Sequence, residues 1–200
     1  EPDMKFSLLI PVGHGAAEEF QSAAAIAAMA RALEAAQVDA CFLTDHPAPA
    51  AAWLRAAGHD ALDPFTALAF VAANSATLKM FTNILVLPYR NPFITAKAAA
   101  TLQVLSGGRF ILGVGGGYQK GEFDALGVDF SKRGALLDEA IDVIRLAWSG
   151  DTVISSGTTN GGEVQPSFSR AAATSASPSG APCVASVPCL FGAPQPMIVL

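Results

Sequence analysis

Apolar and polar positions change period in blocks along the chain. Residues 4–11, "MKFSLLIP", are a short apolar run ended by Pro11, the pattern of a buried strand. "HGAAEEF" leads into "QSAAAIAAMARALEAAQ", which is rich in strong helix formers. Residues 38–44, "VDACFLT", form a second buried strand. Asp63 followed by Pro64 fits an N-cap with Pro at the first helical position, opening the helix "FTALAFVAANS". Residues 78–87, "LKMFTNILVL", read as a third strand ended by Pro88. "PFITAKAAATLQVLS" is helical and stops at Gly107-Gly108. Residues 109–115, "RFILGVG", are a fourth strand, followed by a glycine-rich turn and "EFDALG". In "SKRGALLDEAIDVIRLAW" the apolar positions Leu136, Leu137, Ala140, Ile141, Ile144 and Leu146–Trp148 recur at helical spacing.

Residues 1–150 therefore read as a β-α unit repeated four times. Continuous apolar strands alternating with helices imply a parallel sheet covered by helices. An open doubly wound sheet and a (β/α)8 TIM-type barrel both fit that pattern. No GxGxxG follows the first strand, which weakens the nucleotide-binding open sheet. About four units are present, half of a barrel.

The pattern fails near Gly150. From residue 152 to 200 there is no Lys, one Arg (Arg170) and one acid (Glu163), and six of the 13 Pro fall here. This Ser/Ala/Gly/Pro-rich tail, 151–200, reads as irregular or as the product of a shifted reading frame. Only its last residues, "PMIVL", carry a strand-like run.

Composition narrows the function classes. The chain is 52% hydrophobic and 14% charged, enough apolar material for a substantial core. A net charge of −5 with 12 scattered basic residues argues against nucleic acid, since phosphate binding needs clustered Lys and Arg. Cys41 sits inside an apolar run, and Cys183 and Cys189 have no His nearby, so neither a disulfide framework nor a metal site is expected. No secretory signal and no membrane span are read, which makes cytoplasmic the expectation.

In parallel α/β folds the ligand site lies at the carboxyl ends of the strands. Three polar stretches end there: "TDH" 44–46, "NILVLPYRNP" 83–92 and "GVGGGYQKGE" 113–122. His46 reads either as a loop histidine bonded to a neighbour or as a proton donor and acceptor near neutrality. Asp45 reads as an Asx turn before Pro47, or as the group that orients the imidazole or meets a ligand. Gly113, Gly115, Gly116 and Gly117 either make a tight turn or let backbone amides approach a flat or anionic ligand. Glu122 is a first-turn acid favoured by the helix dipole or a second acid/base group. Arg90 would hold an anion or pair with an acid on the rim. His14 and His59 read as solvent-exposed, and Trp53 as a packing residue rather than part of a lid.

A family likeness joins these stretches. The run 85–148, with "PYRNP", "LSGGR", "LGVGGG" and "EFDALG" in order, together with "FLTDHP" 42–47 and the opening "MKFSLLIP", resembles the bacterial luciferase-like monooxygenase superfamily. Within it, the coenzyme F420-dependent oxidoreductase branch is the nearest in pattern. The likeness covers about residues 4–150. It implies a barrel with a flavin or deazaflavin across its strand ends, F420 or alternatively FMN, and hydride transfer to or from a small organic substrate. It implies that Asp45 and His46 are the polar pair beside the ring, with His46 moving the proton. It also implies a non-prolyl cis peptide around Asn83-Ile84 supporting the ring, a turn at Gly115, Gly116 and Gly117 meeting the ring's polar edge, and an acid at Glu122. Family members run well past the length of this chain, and the likeness ends after "GDTV". A half barrel leaves open strand edges and an apolar inner face, so the chain is expected to form a homodimer or to be a fragment. A pairing subunit without turnover is the competing reading, and a binding domain for an unrelated small anion is a third.

Overall fold

The computed structural model describes residues 4–11, 20–56, 58–149 and 195–200, and the backbone of the strands at 153–156, 167–170 and 183–185. His14 lies outside the described residues. Four βα units follow one another. β1 (Ser7–Leu9) precedes α1 (Ala23–Ala35), and β2 (Ala40–Leu43) precedes α2 (Ala51–Arg55) and α3 (Pro64–Ala73). β3 (Lys79–Thr82) and β4 (Leu85–Val86) lead through a 3₁₀ turn at Leu87–Tyr89 into α4 (Pro92–Leu105). β5 (Phe110–Gly115) is followed by α5 (Lys120–Ala125) and α6 (Arg133–Trp148).

The strands β1, β2, β3 and β5 pair in that order, all parallel. Beyond them, β6 (Val153–Ser156), β7 (Ser167–Arg170) and β8 (Cys183–Ala185) form a separate antiparallel sheet. β9 (Met197–Val199), within "PMIVL", adds to β5 in parallel on the side away from β3. The main sheet is thus extended in the direction a barrel would continue.

One face of the sheet is sealed by helices. Cys41, Leu43, Met80, Phe110, Leu112 and Val114 alternate along the strands and are buried against Leu68 and Val71 of α3, Ala96 and Ala99 of α4 and Ile144 of α6. The opposite face carries Phe42 and Phe81, half-buried, with ring centroids 5.1 Å apart. The helix ends are those the turn chemistry predicts. Asp63 accepts the Thr66 N–H at 2.9 Å and Asn91 the Phe93 N–H at 3.0 Å, each with Pro at the next position. Arg109 explains the "GGR" stretch, since its guanidinium donates to the carbonyls of Leu78 (2.8 Å) and Ala72 (3.0 Å) and pins α3 and β3 to the start of β5.

Two expectations change. The opening segment is not a buried strand: Met4, Phe6 and Leu8 are 72, 60 and 49% exposed, because β1 is the sheet edge, paired only to β2 among the described residues. The third strand is not continuous either, since Asn83-Ile84 is a cis peptide bond that separates β3 from β4. No described helix is long and apolar enough to cross a membrane.

Candidate active site

The strand ends deliver the site. β2 ends at Leu43, and Thr44, Asp45 and His46 follow at once, with Asp45 and His46 both buried. β3 ends at the cis bond whose position the family likeness implies. β5 ends at Gly115, and the chain turns through Gly117 (φ +73°) into α5, where Glu122 is 1% exposed.

Across 76 residues of sequence, His46 and Glu122 meet: Nδ1 lies 3.4 Å from Oε2. Glu122 also accepts the Tyr89 O–H at 3.0 Å on Oε2 and the Ala48 N–H at 3.4 Å on Oε1. Three donors converge on two acceptor oxygens, the arrangement an ionised carboxylate accepts. The carboxylate oxygen accepts, so the tautomer that bonds to Glu122 is the one protonated on Nδ1, which leaves Nε2 for a ligand. Burial, and then the charge of Glu122, push the Tyr89 phenol above its ordinary value, so it remains a donor.

Asp45 is held differently. Its Oδ2 accepts the Val86 N–H at 3.0 Å and Arg90 Nε–H at 3.3 Å, and its Oδ1 accepts from Arg90 Nη2 at 2.7 Å. Arg90 therefore takes the acid on the rim rather than an external anion. Through the Val86 N–H, the buried Asp45 ties the end of β2 to the backbone just beyond the cis bond.

A cavity of about 360 Å³ opens over this layer. Asp45, His46, Asn83, Ile84, Gly117 and Glu122 all line it. Gly115 and Gly116 do not. An added Cβ at Gly115 would run into the Ile84 side chain, and at Gly116 it would meet only Leu137 and Arg133, at 3.9–4.0 Å, on the α6 side. The sequence reading misplaces one residue: His59 is half-buried and lines the cavity, its ring centroid 4.9 Å from that of His46. Trp53 is a packing residue, and what it packs on is His46, at 4.7 Å. Tyr89, Tyr118 and Gln119 join the wall without having been singled out, although all three lie in the stretches that end strands three and four. Gln119 Nε2 is the one buried side-chain nitrogen or oxygen without a hydrogen-bond partner among the described residues. A wall with an imidazole, a carboxylate and an unmatched amide donor suits a planar ring that carries acceptors along one edge.

The family described as luciferase-like monooxygenase matches residues 4–197. The chain belongs to this family. The match runs past Gly150, where the likeness read from sequence ends. A relative of this luciferase-like chain, the F420-dependent glucose-6-phosphate dehydrogenase of Amycolatopsis mediterranei, is 35% identical over 153 residues, covering 72% of this chain and 44% of that protein. The monooxygenase RslO1 from Streptomyces bottropensis superposes with a TM-score of 0.71 at 20% identity, over 98% of this chain and 52% of that one. The oxygenating constituent of 3,6-diketocamphane monooxygenase from Pseudomonas putida, solved with FMN, gives a TM-score of 0.65 at 16% identity, over 82% and 43%. The luciferase-like chain thus spans about half the length of these proteins, and its α/β sheet is part of their TIM-type barrel.

Proposed function

We propose that this luciferase-like chain forms the ring-binding mouth of an oxidoreductase that moves a hydride between F420 or FMN and a small organic substrate. One observation carries the reading: residues from three strand ends and the following helix place a buried His46–Glu122 pair at the wall of one cavity. The relative named for F420 supports the deazaflavin, and the solved enzyme that holds FMN supports the flavin.

When bound, such a ring supplies a two-electron carrier that takes up or delivers a hydride. The chain's own residues handle the rest. His46 holds or gives a proton at Nε2 toward the substrate oxygen or nitrogen. Glu122 keeps the opposite nitrogen protonated and stabilises the imidazolium when it forms. Tyr89 keeps Glu122 in place by donating to it. Gln119 would offer its amide N–H to an acceptor on the ring, and the turn at Gly117 would let the backbone come close. Asp45 acts through Arg90 and Val86, fixing the segment after Asn83–Ile84 in the wall that would hold the ring. The face bearing Phe42 and Phe81 is proposed to be covered in a homodimer.

Titration of the purified chain with F420 and with FMN, each followed by fluorescence quenching, tests the reading. Saturable binding of one of them is expected. Gln119→Leu should weaken it by about tenfold, the effect of one lost hydrogen bond. His46→Ala should leave binding intact and slow turnover by about 10²-fold, the usual contribution of general acid–base catalysis. Quenching by neither molecule would refute the assignment and leave the pairing subunit without turnover.

A further inference from the structure

His59 is a second imidazole at the cavity that the chemistry above does not use. Its Nε2 lies 3.2 Å from Thr44 Oγ1, so the residue is anchored to the same strand end that carries His46. Its ring meets that of His46 edge-on, at 86° and 4.9 Å. Trp53 packs on both, 4.7 Å from His46 and 5.3 Å from His59. The chain reaches this arrangement through Gly58, whose N–H donates to the Trp53 carbonyl at 2.9 Å. A Cβ at Gly58 would fall 2.5 Å from Trp53 Cδ2 and 2.6 Å from its carbonyl oxygen, so no other residue fits without moving the indole.

We infer that His59 is a positioning residue: anchored on Thr44 and backed by Trp53, it holds the His46 ring with Nδ1 on Glu122 and Nε2 toward the cavity. The His46–Glu122 contact, at 3.4 Å, is long for a hydrogen bond, and such a contact fixes a ring weakly on its own. Two χ angles must be held for the imidazole to stay on that acceptor. Neighbouring rings on its faces and edge do this by excluding the other rotamers. The excursion between β2 and α3 is therefore a clamp on the proton-handling group. Its kinetic consequence rests on the function proposed above, whereas the orientation of His46 does not.

The test is ¹⁵N NMR of the His46 imidazole in the full chain, at a pH where the ring is neutral. The native chain should show one tautomer, with the proton on Nδ1. His59→Ala should shift His46 toward the tautomer mixture of a free imidazole. Gly58→Ala keeps His59 but displaces Trp53, and should give the same shift; it serves as the second arm if His59→Ala does not fold, as judged by circular dichroism. A single Nδ1–H tautomer persisting in folded His59→Ala or folded Gly58→Ala would overturn the inference. Binding of F420 and FMN in the same samples is read separately. Its absence would refute the functional reading while leaving the His46 result standing.

Discussion

Asp45→Asn isolates the link between the two strand ends. The substitution is isosteric and removes only the charge and half of the acceptor capacity. In the native chain, Oδ2 serves Val86 N–H and Arg90 Nε–H, while Oδ1 serves Arg90 Nη2. An asparagine oxygen in the Oδ2 position keeps the first two bonds. Its NH₂ then faces the guanidinium across the former 2.7 Å bond, donor against donor. The flipped amide is worse, because it opposes two N–H groups. The unflipped amide is therefore the one adopted, and it loses one charge-assisted hydrogen bond, worth about 1.5–3 kcal/mol. The Arg90 side chain is 24% exposed and has Asp63 at 3.7 Å, so water and a second acid relieve the stranded cation. The lower part of that range follows, about 2 kcal/mol. With a urea dependence of about 2 kcal/mol per molar, the midpoint should fall by about 1 M. Urea unfolding at pH 7, followed by tryptophan fluorescence, reads it. In a double-mutant cycle with Arg90→Gln the coupling should be about 1–2 kcal/mol. A midpoint within about 0.2 M of the native chain, with unchanged slope, would show that the pair does not fasten this segment.

Glu34 should set part of the acid limb of stability. The Thr77 hydroxyl first, then the N–H groups of Thr77, Ala76 and Leu78, hold its carboxyl down at about 2. The folded value lies below that of an unfolded glutamate, about 4.3, so the contribution is complete above that pH and lost as pH falls toward the folded value. Glu34→Gln should flatten stability over this window, and an unchanged acid profile would count against the network. Tyr89 should stay protonated beyond the ordinary phenol value of about 10, because burial and then the charge of Glu122 raise it. The chain has two tyrosines, so in Tyr118→Phe the absorbance at 295 nm follows Tyr89 alone, and a step near pH 10 would contradict its burial beside Glu122. Gly113→Ala should destabilise by about 3 kcal/mol in the urea assay, because the new methyl meets the Thr82 carbonyl oxygen within the sheet; a native midpoint would show that β3 and β5 are not so close.

How much of this was legible depends on whether the information is local. The strands at Ala40–Leu43 and Phe110–Gly115 and the helices at Pro64–Ala73, Pro92–Leu105 and Arg133–Trp148 follow from period and caps. Each residue's side of its own element is set by neighbours a few positions away, so the sequence alone determined these elements and placed Asp45, His46 and Glu122 near strand ends. The cis bond at Asn83-Ile84 came from family likeness, since no period announces it and the apolar run reads as one strand. Tertiary structure decided the partners. Whether Arg90 met an external anion or Asp45, and whether His59 faced solvent or His46, depended on which loops close over one sheet edge. The same closure set Gly117 in the mouth while turning Gly116 toward α6. Period records only which side of an element faces the core. The 76-residue separation of His46 from Glu122 is bridged by parallel crossovers, and only the packed barrel segment fixes which side chains those crossovers bring together.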